Sequence, residues 1–309
     1  MKRNSLLELF RFLFALVILY YHNCFIIQSY DGFYSGRFVV IFFFLVSGFF
    51  ISDKLKKCNN AYLTNKTEWL HYLTYRLKRL GIPLLIAYSF SVADTIVSNS
   101  YSSGFLHYLW FIHVMLIAEL LSYILYKYIK RKYIIDIIYG LLMILGISLR
   151  LVPSIIEVTE PLCLIYFPFG YFMSKVRFNY KNNLLWLTLI VFSVIGLSYC
   201  LFSPYKMYKE FIMGFILFPI LLYSILQVEL NEVKLFNYIG SLSFEIYVYQ
   251  SIARFFGAFG INNNIYNFLI VASSVLLTEI CKFIFDISAR KKKKELIINI
   301  KKEPYPLSR

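Results

Sequence analysis

Arg11 and His22 lie eleven residues apart inside one apolar run, from Leu6 to His22, long enough to enter a bilayer. At 100° per residue eleven steps return to within about 20° of the start, so the two side chains share one helix face, about 16 Å apart along the axis. Ionisable groups are costly in such a helix and mark substrate paths, proton relays or interhelical pairs. Glu8 lies three residues before Arg11 on the same face and can pair with it, forming a polar entrance. The competing reading is that Arg11 snorkels back to the headgroups. His22 is too deep for that. It reads either as a hydrogen-bonded structural histidine or, with an unperturbed pKa of about 6.5, as a candidate general base.

Other groups fall at a comparable depth. Asp94 is placed near the outer end of the third expected span, and His107, Trp110 and His113 open the fourth. Taken singly, His107 and Trp110 read as interfacial residues and His113 as a core histidine; taken with His22 they could rim a cavity. Arg76-Leu-Lys-Arg79 stands just before Gly81-Ile-Pro83, where a new helix begins. Three cations in four residues beside a helix N-terminus suit a phosphate group, and equally suit an ordinary stop-transfer cluster.

The elements that must position these residues are transmembrane helices. Of 309 residues 59% are hydrophobic, 20% aromatic and only 16% charged, against about 25% charged in soluble domains. The mean hydropathy is +0.64. Apolar runs broken by charge or by Gly, Pro and Asn clusters predict ten spans, near 6–28, 36–53, 81–99, 107–127, 133–151, 159–175, 184–202, 208–226, 236–257 and 264–287. The expectation is an all-α, polytopic membrane protein enclosing a polar cavity, with one domain over 1–288 and a basic tail over 289–309. The first run has no small-residue cleavage site and reads as a retained helix.

Lys and Arg give the orientation. Lys2 and Arg3, the cations of the 54–80 loop, Lys127 through Lys132, Lys175, Arg177, Lys181, Lys234 and the tail from Arg290 fall on one face. The opposite face has Arg37, Arg150, Lys206 and Lys209. The positive-inside rule makes the crowded face, with both termini, cytoplasmic. Juxtamembrane basic segments facing anionic lipids then account for most of the net charge of +15, and Arg290-Lys-Lys-Lys-Lys294 reads as a membrane-surface tether rather than a nucleic-acid patch. Asn65-Lys-Thr67 matches a glycosylation sequon but falls on the cytoplasmic side. The five cysteines are scattered without metal-ligand or redox spacing, so no metal is expected and they read as packing residues. There is no Gly-rich nucleotide loop, no G-x-S-x-G elbow and no half-sequence repeat of the inverted-repeat transporter kind.

Four motifs together resemble the membrane-bound acyltransferase type 3 family. They are Glu8-Leu-Phe-Arg11 with His22; Phe42-Phe-Phe-Leu-Val-Ser47-Gly48-Phe49; Arg76-x-x-Arg79 before Pro83; and Leu109-Trp110-Phe111 with Gly240-Ser-Leu-Ser243-Phe244-Glu245-Ile-Tyr247. Their order and spacing run from residue 8 to about 250. Two positions depart from the usual pattern: Ile41 stands where many members have an acidic residue, and Gln250 where many have His. Both departures count against a second acid or base at those sites.

The resemblance implies an enzyme of the bacterial cytoplasmic membrane that moves an acyl group, often acetyl, from acetyl-CoA as co-substrate to a hydroxyl of a cell-surface glycan or lipid-linked precursor. It implies His22 as the catalytic residue, acting as base or acyl carrier; Glu245 is a candidate for orienting a partner from the ninth span, the other reading being a hydrogen bond to a neighbouring helix. By the resemblance Arg11, Arg76 and Arg79, with Ser47 of the second motif, would lie on the donor side; by their expected depth Asp94, Trp110 and His113 would lie on the acceptor side. The 16 Å between Arg11 and His22 is of the order of an extended pantetheine arm. Two other readings are a flippase or transporter that escorts an anionic or glycosidic substrate without chemistry, and a membrane scaffold with a decayed site. The intact Arg11, His22, Ser47-Gly48 and Arg76-x-x-Arg79 count against the last.

Overall fold

The computed structural model describes residues 4–26, 36–61, 81, 83–89, 92, 104–129, 131–152, 161–176, 182–202, 209–248, 265, 268–269, 271–280 and 283, with backbone alone at 22–26, 36–37, 52–61 and 104–109. Among these residues there is no strand. The helices are α1 (Ser5–Ile26), α2 (Val40–Ala61) after a 3-10 turn (Gly36–Val39), α3 (83–89), α4 (Gly104–Tyr128), α5 (Lys132–Arg150), α6 (Pro161–Met173) and α7 (Asn183–Phe202). They continue as α8 (Lys209–Gln227), α9 (Lys234–Ser241, resuming over 243–248) and α10 (Val271–Ile280). Four of the described stretches are long and apolar enough to cross a bilayer: Trp110–Tyr128, Lys132–Arg150, Asn183–Phe202 and Lys209–Gln227. The chain is an all-α membrane protein.

Helices in lipid gain no hydrophobic drive to associate, so close packing at small residues has to hold them together. The most extensive contact, α2 on α6, is built that way from both sides. A β-carbon on Gly48 would collide with the Phe167 carbonyl, and one on Gly170 with the Leu45 carbonyl, so each backbone rests against the other. Gly146 on α5 does the same against α6, where a β-carbon would stand 2.7 Å from Ile165 Cγ1.

Successive helices run in alternating directions. Tyr139 of α5 donates to Ser122 of α4. Asp136, early in α5, meets Tyr171 and Lys175 at the end of α6, whereas Gly146, late in α5, meets Ile165. On α8, Phe218 packs on Phe14 while Ile225 accepts from Asn4, so α8 is antiparallel to α1. α9 is parallel to α1: Val233 N–H donates to Ser5, Gly240 abuts Glu8, and Ala15 and Leu19 pack with Leu242 and Ile246. One end of the bundle therefore gathers Asn4, Lys127, Arg131, Lys132, Lys175 and Lys234, all five cations exposed. The other end gathers Arg150 and Lys209, both buried.

Wherever described residues cover an expected span a helix lies there, with three departures from the expected pattern. α2 continues to Ala61, well past 53. α8 holds a π-helical turn at Ile212–Leu217, an insertion that often accompanies functional sites. α9 breaks at Leu242, where Ser241 donates to the Tyr238 carbonyl and Ser243 to the Gly240 carbonyl. Hydroxyls that bond back to the preceding turn compete with the helix ladder, which gives the Ser-Leu-Ser segment its local role.

Candidate functional site

The helices that carry the first, second and fourth motifs close a ring. α1 meets α2 through Phe14 and Phe42, whose ring centroids are 4.7 Å apart, and α2 meets α4 through Phe44 and Phe111 at 4.9 Å. α4 meets α9 through Phe111 and Tyr247 at 5.1 Å, and α9 returns to α1 at Gly240. Residues 42 and 44 project about 200° apart on α2, so α1 and α4 sit on opposite sides of it. Motif segments almost 240 residues apart in sequence thus lie in one set of contacts, and their glycines and aromatics account for the packing.

On α1 the expected Glu8–Arg11 pair is present. Arg11 Nη1 lies 3.2 Å from Glu8 Oε2 and 3.4 Å from Oε1, with side chains 30% and 10% exposed. The carboxylate is the more buried partner because α9 lies over it. A β-carbon on Gly240 would come within 2.6 Å of Glu8 Oε2, so only glycine there leaves room for the acid. The same end is tied by Asn4, whose Oδ1 caps Leu7 N–H at 3.0 Å and whose Nδ2 donates to Ile225 O at 3.0 Å. Asn237, buried one turn before Gly240, donates to Glu232 at 2.8 Å. Arg11 emerges from this frame with 30% of its side chain exposed. α1 is one unbroken helix over Ser5–Ile26, so the backbone of His22 stands about 16 Å further along it.

Ser47 does not face that pair. Its Oγ is 3.4 Å from Met115 Sδ on α4, next to the glycine that seats α2 on α6. Trp110 is half-buried between Phe44 and Phe111. His113 turns to the other flank of α4, where Nε2 lies 2.5 Å from the Tyr88 hydroxyl of α3. Glu245 lies half-buried on α9 beyond the break, followed by the buried Ile246, Tyr247 and Val248. The side chain of His22, and Arg76, Arg79 and Asp94 altogether, lie outside the described residues. So the structure joins Arg11 to Glu8 and places Ser47, Trp110 and Glu245 on the ring, with His113 at its outer seam.

Sequence reasoning did not single out three features. Glu119 is a buried carboxylate on the face of α4 that also carries Met115 and Ser122; its signal, an acid in an otherwise apolar run, was legible. Tyr88 is one aromatic among many. Arg150 and Glu210 make a buried ion pair between the end of α5 and the start of α8, with side chains 4% and 5% exposed. Arg150 donates through Nε to Oε1 at 3.1 Å and through Nη2 to Oε2, a two-point fork, while Tyr166 donates to the Glu210 carbonyl at 3.3 Å. Among the described residues no group of three or more His, Cys, Asp or Glu is arranged to hold a metal ion.

A helical membrane protein whose motif-bearing helices close a ring, with an Arg–Glu pair where α1 meets α9, is the class that fold and site define. The chain belongs to the acyltransferase 3 family: the family's model, an acyltransferase domain, matches residues 4–285. Neither a curated protein nor a solved structure matches the chain.

Proposed function

We propose that this protein is a membrane acyltransferase that moves an acetyl or other short acyl group from cytoplasmic acyl-CoA to a hydroxyl of a cell-surface glycan or its lipid-linked precursor. The observation that carries the reading is α1: one continuous helix, inside the family match, in which Arg11 is paired to a buried acid and the backbone of His22 follows eleven residues on, a spacing that helical register puts on the same face. In this mechanism the CoA phosphates dock on Arg76, Arg79 and Arg11. The pantetheine arm follows α1 toward His22. The imidazole takes the proton of the acceptor hydroxyl, the oxygen attacks the thioester carbonyl, the C–S bond breaks, and the proton passes to the departing CoA thiolate. In the acyl-carrier variant the imidazole nitrogen attacks the thioester carbonyl, the C–S bond breaks and CoA leaves with the imidazole proton; the acceptor oxygen then attacks the acyl-imidazole, the C–N bond breaks and the hydroxyl proton returns to the imidazole.

Glu8 holds Arg11 in a fixed rotamer, and Glu245 orients a partner from α9. Asp94, Trp110 and His113 belong to the acceptor side. The surroundings are the bacterial cytoplasmic membrane, with both termini in the cytoplasm; the five exposed cations gathered at the end of the bundle that holds Asn4 support that orientation.

Purified protein in vesicles, given radiolabelled acetyl-CoA and a glycan acceptor, should release CoA thiol and label the acceptor. His22→Ala should lose on the order of 10²-fold or more of that rate, the usual contribution of a positioned acid–base group. A folded His22→Ala protein that transfers label at the normal rate overturns the mechanism, and wild-type protein that moves a glycan across the bilayer without consuming acetyl-CoA overturns the reaction.

A further inference from the structure

α9 begins where the start of α1, the end of α8 and a short turn meet. Asn237, the first buried residue of α9, is only 7% exposed there. Its Nδ2 donates to Glu232 at 2.8 Å, and among the described residues nothing donates to its buried Oδ1. A buried acceptor without a donor costs free energy until a ligand or water supplies one. Glu232 also fixes which amide atom is which. A carboxylate only accepts, so the nitrogen must face it and the oxygen takes the other branch.

An amide held this way offers a donor and an acceptor together. Nδ2 carries two hydrogens and Glu232 takes one, so the second remains to be given alongside the lone pairs of Oδ1. The matching ligand edge has an N–H donor beside an unprotonated ring nitrogen. The exocyclic amine and N7 of adenine are such a pair, the one that Asn and Gln side chains read bidentately in nucleic acids. Hypoxanthine, with a carbonyl in place of the amine, presents two acceptors and does not match.

The place suits the nucleotide end of a donor. α9 runs parallel to α1 with Gly240 against Glu8, so Asn237 stands one turn, about 4.5 Å, nearer the Asn4 end of the bundle. Asn237, the Arg11 guanidinium beside Glu8 and the backbone of His22 thus follow one another along the bundle, in the order of base, phosphates and thioester in an acyl-CoA. Residues 229–233 of the turn are all exposed, and Val233 N–H is held by Ser5 at 3.0 Å. Exposed turns open at low cost. Displacing this one uncovers the amide.

We propose that the amide of Asn237, at the junction of α1, α8 and α9, is the seat of an adenine ring: Oδ1 accepts from the exocyclic amine and Nδ2 donates to N7. Glu232 is a positioning residue that keeps the amide from turning over. That the nucleotide is the acyl donor rests on the acyltransferase reading; that the amide reads adenine does not.

The test is equilibrium dialysis of tritiated CoA, and of its hypoxanthine analogue, against the full-length protein in detergent. The wild type should prefer adenine about tenfold, the discrimination of one bidentate pair. Asn237→Leu, of similar volume, should bind CoA about tenfold more weakly and lose the preference. Glu232→Ala, at an exposed position, frees the amide to turn its nitrogen to the hypoxanthine carbonyl, so the analogue should gain, CoA should lose and the preference should shrink severalfold. Equal binding of the two nucleotides by the wild type, or a preference that survives either substitution undiminished in folded protein, overturns the seat. Transfer from the two acetylated nucleotides is read separately: an adenine preference in binding without any transfer leaves the seat standing and removes the acyltransferase reading, and transfer with equal KM for both does the reverse.

Discussion

At the scale of single residues the structure separates groups that serve binding from groups that serve the fold. Arg150 and Glu210 are the strongest case of the second kind. Both are nearly inaccessible and joined by a two-point fork, so removing one leaves an uncompensated buried charge, worth about 3–5 kcal/mol. Arg150→Met alone should lower the thermal midpoint in detergent sharply. Arg150→Met with Glu210→Leu should regain most of it, and equal losses in the single and double variants would deny the pairing. Gly240 is the corresponding position beside the candidate site. Gly240→Ala drives a methyl into Glu8 and displaces Arg11 with it, so transfer should fall on the order of 10²-fold, the penalty of an ångström-scale misplacement. Circular dichroism should show the helices intact. Glu8, Arg11 and their shared face were legible in the sequence because helical spacing alone brings i and i+3 together. Arg150 and Glu210 were not, since a separation of 60 residues carries no local signal of a contact. His113 was legible as a polar residue at depth but not as a partner of Tyr88, because only packing decides which flank of α4 meets α3.

At the scale of elements, hydropathy found the helices and missed their seams. A run of apolar residues sets where a helix must lie, and the described boundaries of α4, α5 and α7 fall within three residues of the expected ones. The π-helical turn of α8 and the break of α9 have no hydropathy signature, since both are made by hydrogen bonds of particular groups. Motif glycines are where element-scale packing was visible in the sequence without its partner. Ser47-Gly48 read as part of a family pattern; in the structure Gly48 is the point at which α2 and α6 touch backbone to backbone. Because a carbonyl cannot move aside as a flexible side chain would, Gly48→Ala and Gly170→Ala should each destabilise by about 1–3 kcal/mol or more, the cost of overpacking. Gly140→Ala on α5 is the control: a β-carbon there meets nothing within 4 Å, and the change should be neutral or stabilising by up to about 1 kcal/mol. Equal effects at positions 48 and 140 would mean that α2 and α6 are not in contact at Gly48.

At the scale of the whole molecule the proposed reaction depends on which end of the bundle meets the cytosol, because the proposed CoA donor is cytosolic and the Glu8–Arg11 pair sits near one end only. That end is fixed by internal geometry: Asn4 on Ile225, Ser5 on Val233 and Gly240 on Glu8 place the start of α1, the end of α8 and the start of α9 together. The alternation of α4, α5 and α6 carries Val176 to the same end and Leu151 to the opposite one, and both are exposed, at 52% and 70%. Single cysteines at these two positions, in a cysteine-free background, therefore report orientation for the entire bundle. On intact cells an impermeant maleimide should label Leu151→Cys and spare Val176→Cys until the membrane is opened. The reverse pattern would put the Arg11 end outside, away from every acyl-CoA in the cell. The donor would then have to reach His22 from the end that holds Arg150 and Lys209, and the roles assigned along α1 would have to be exchanged.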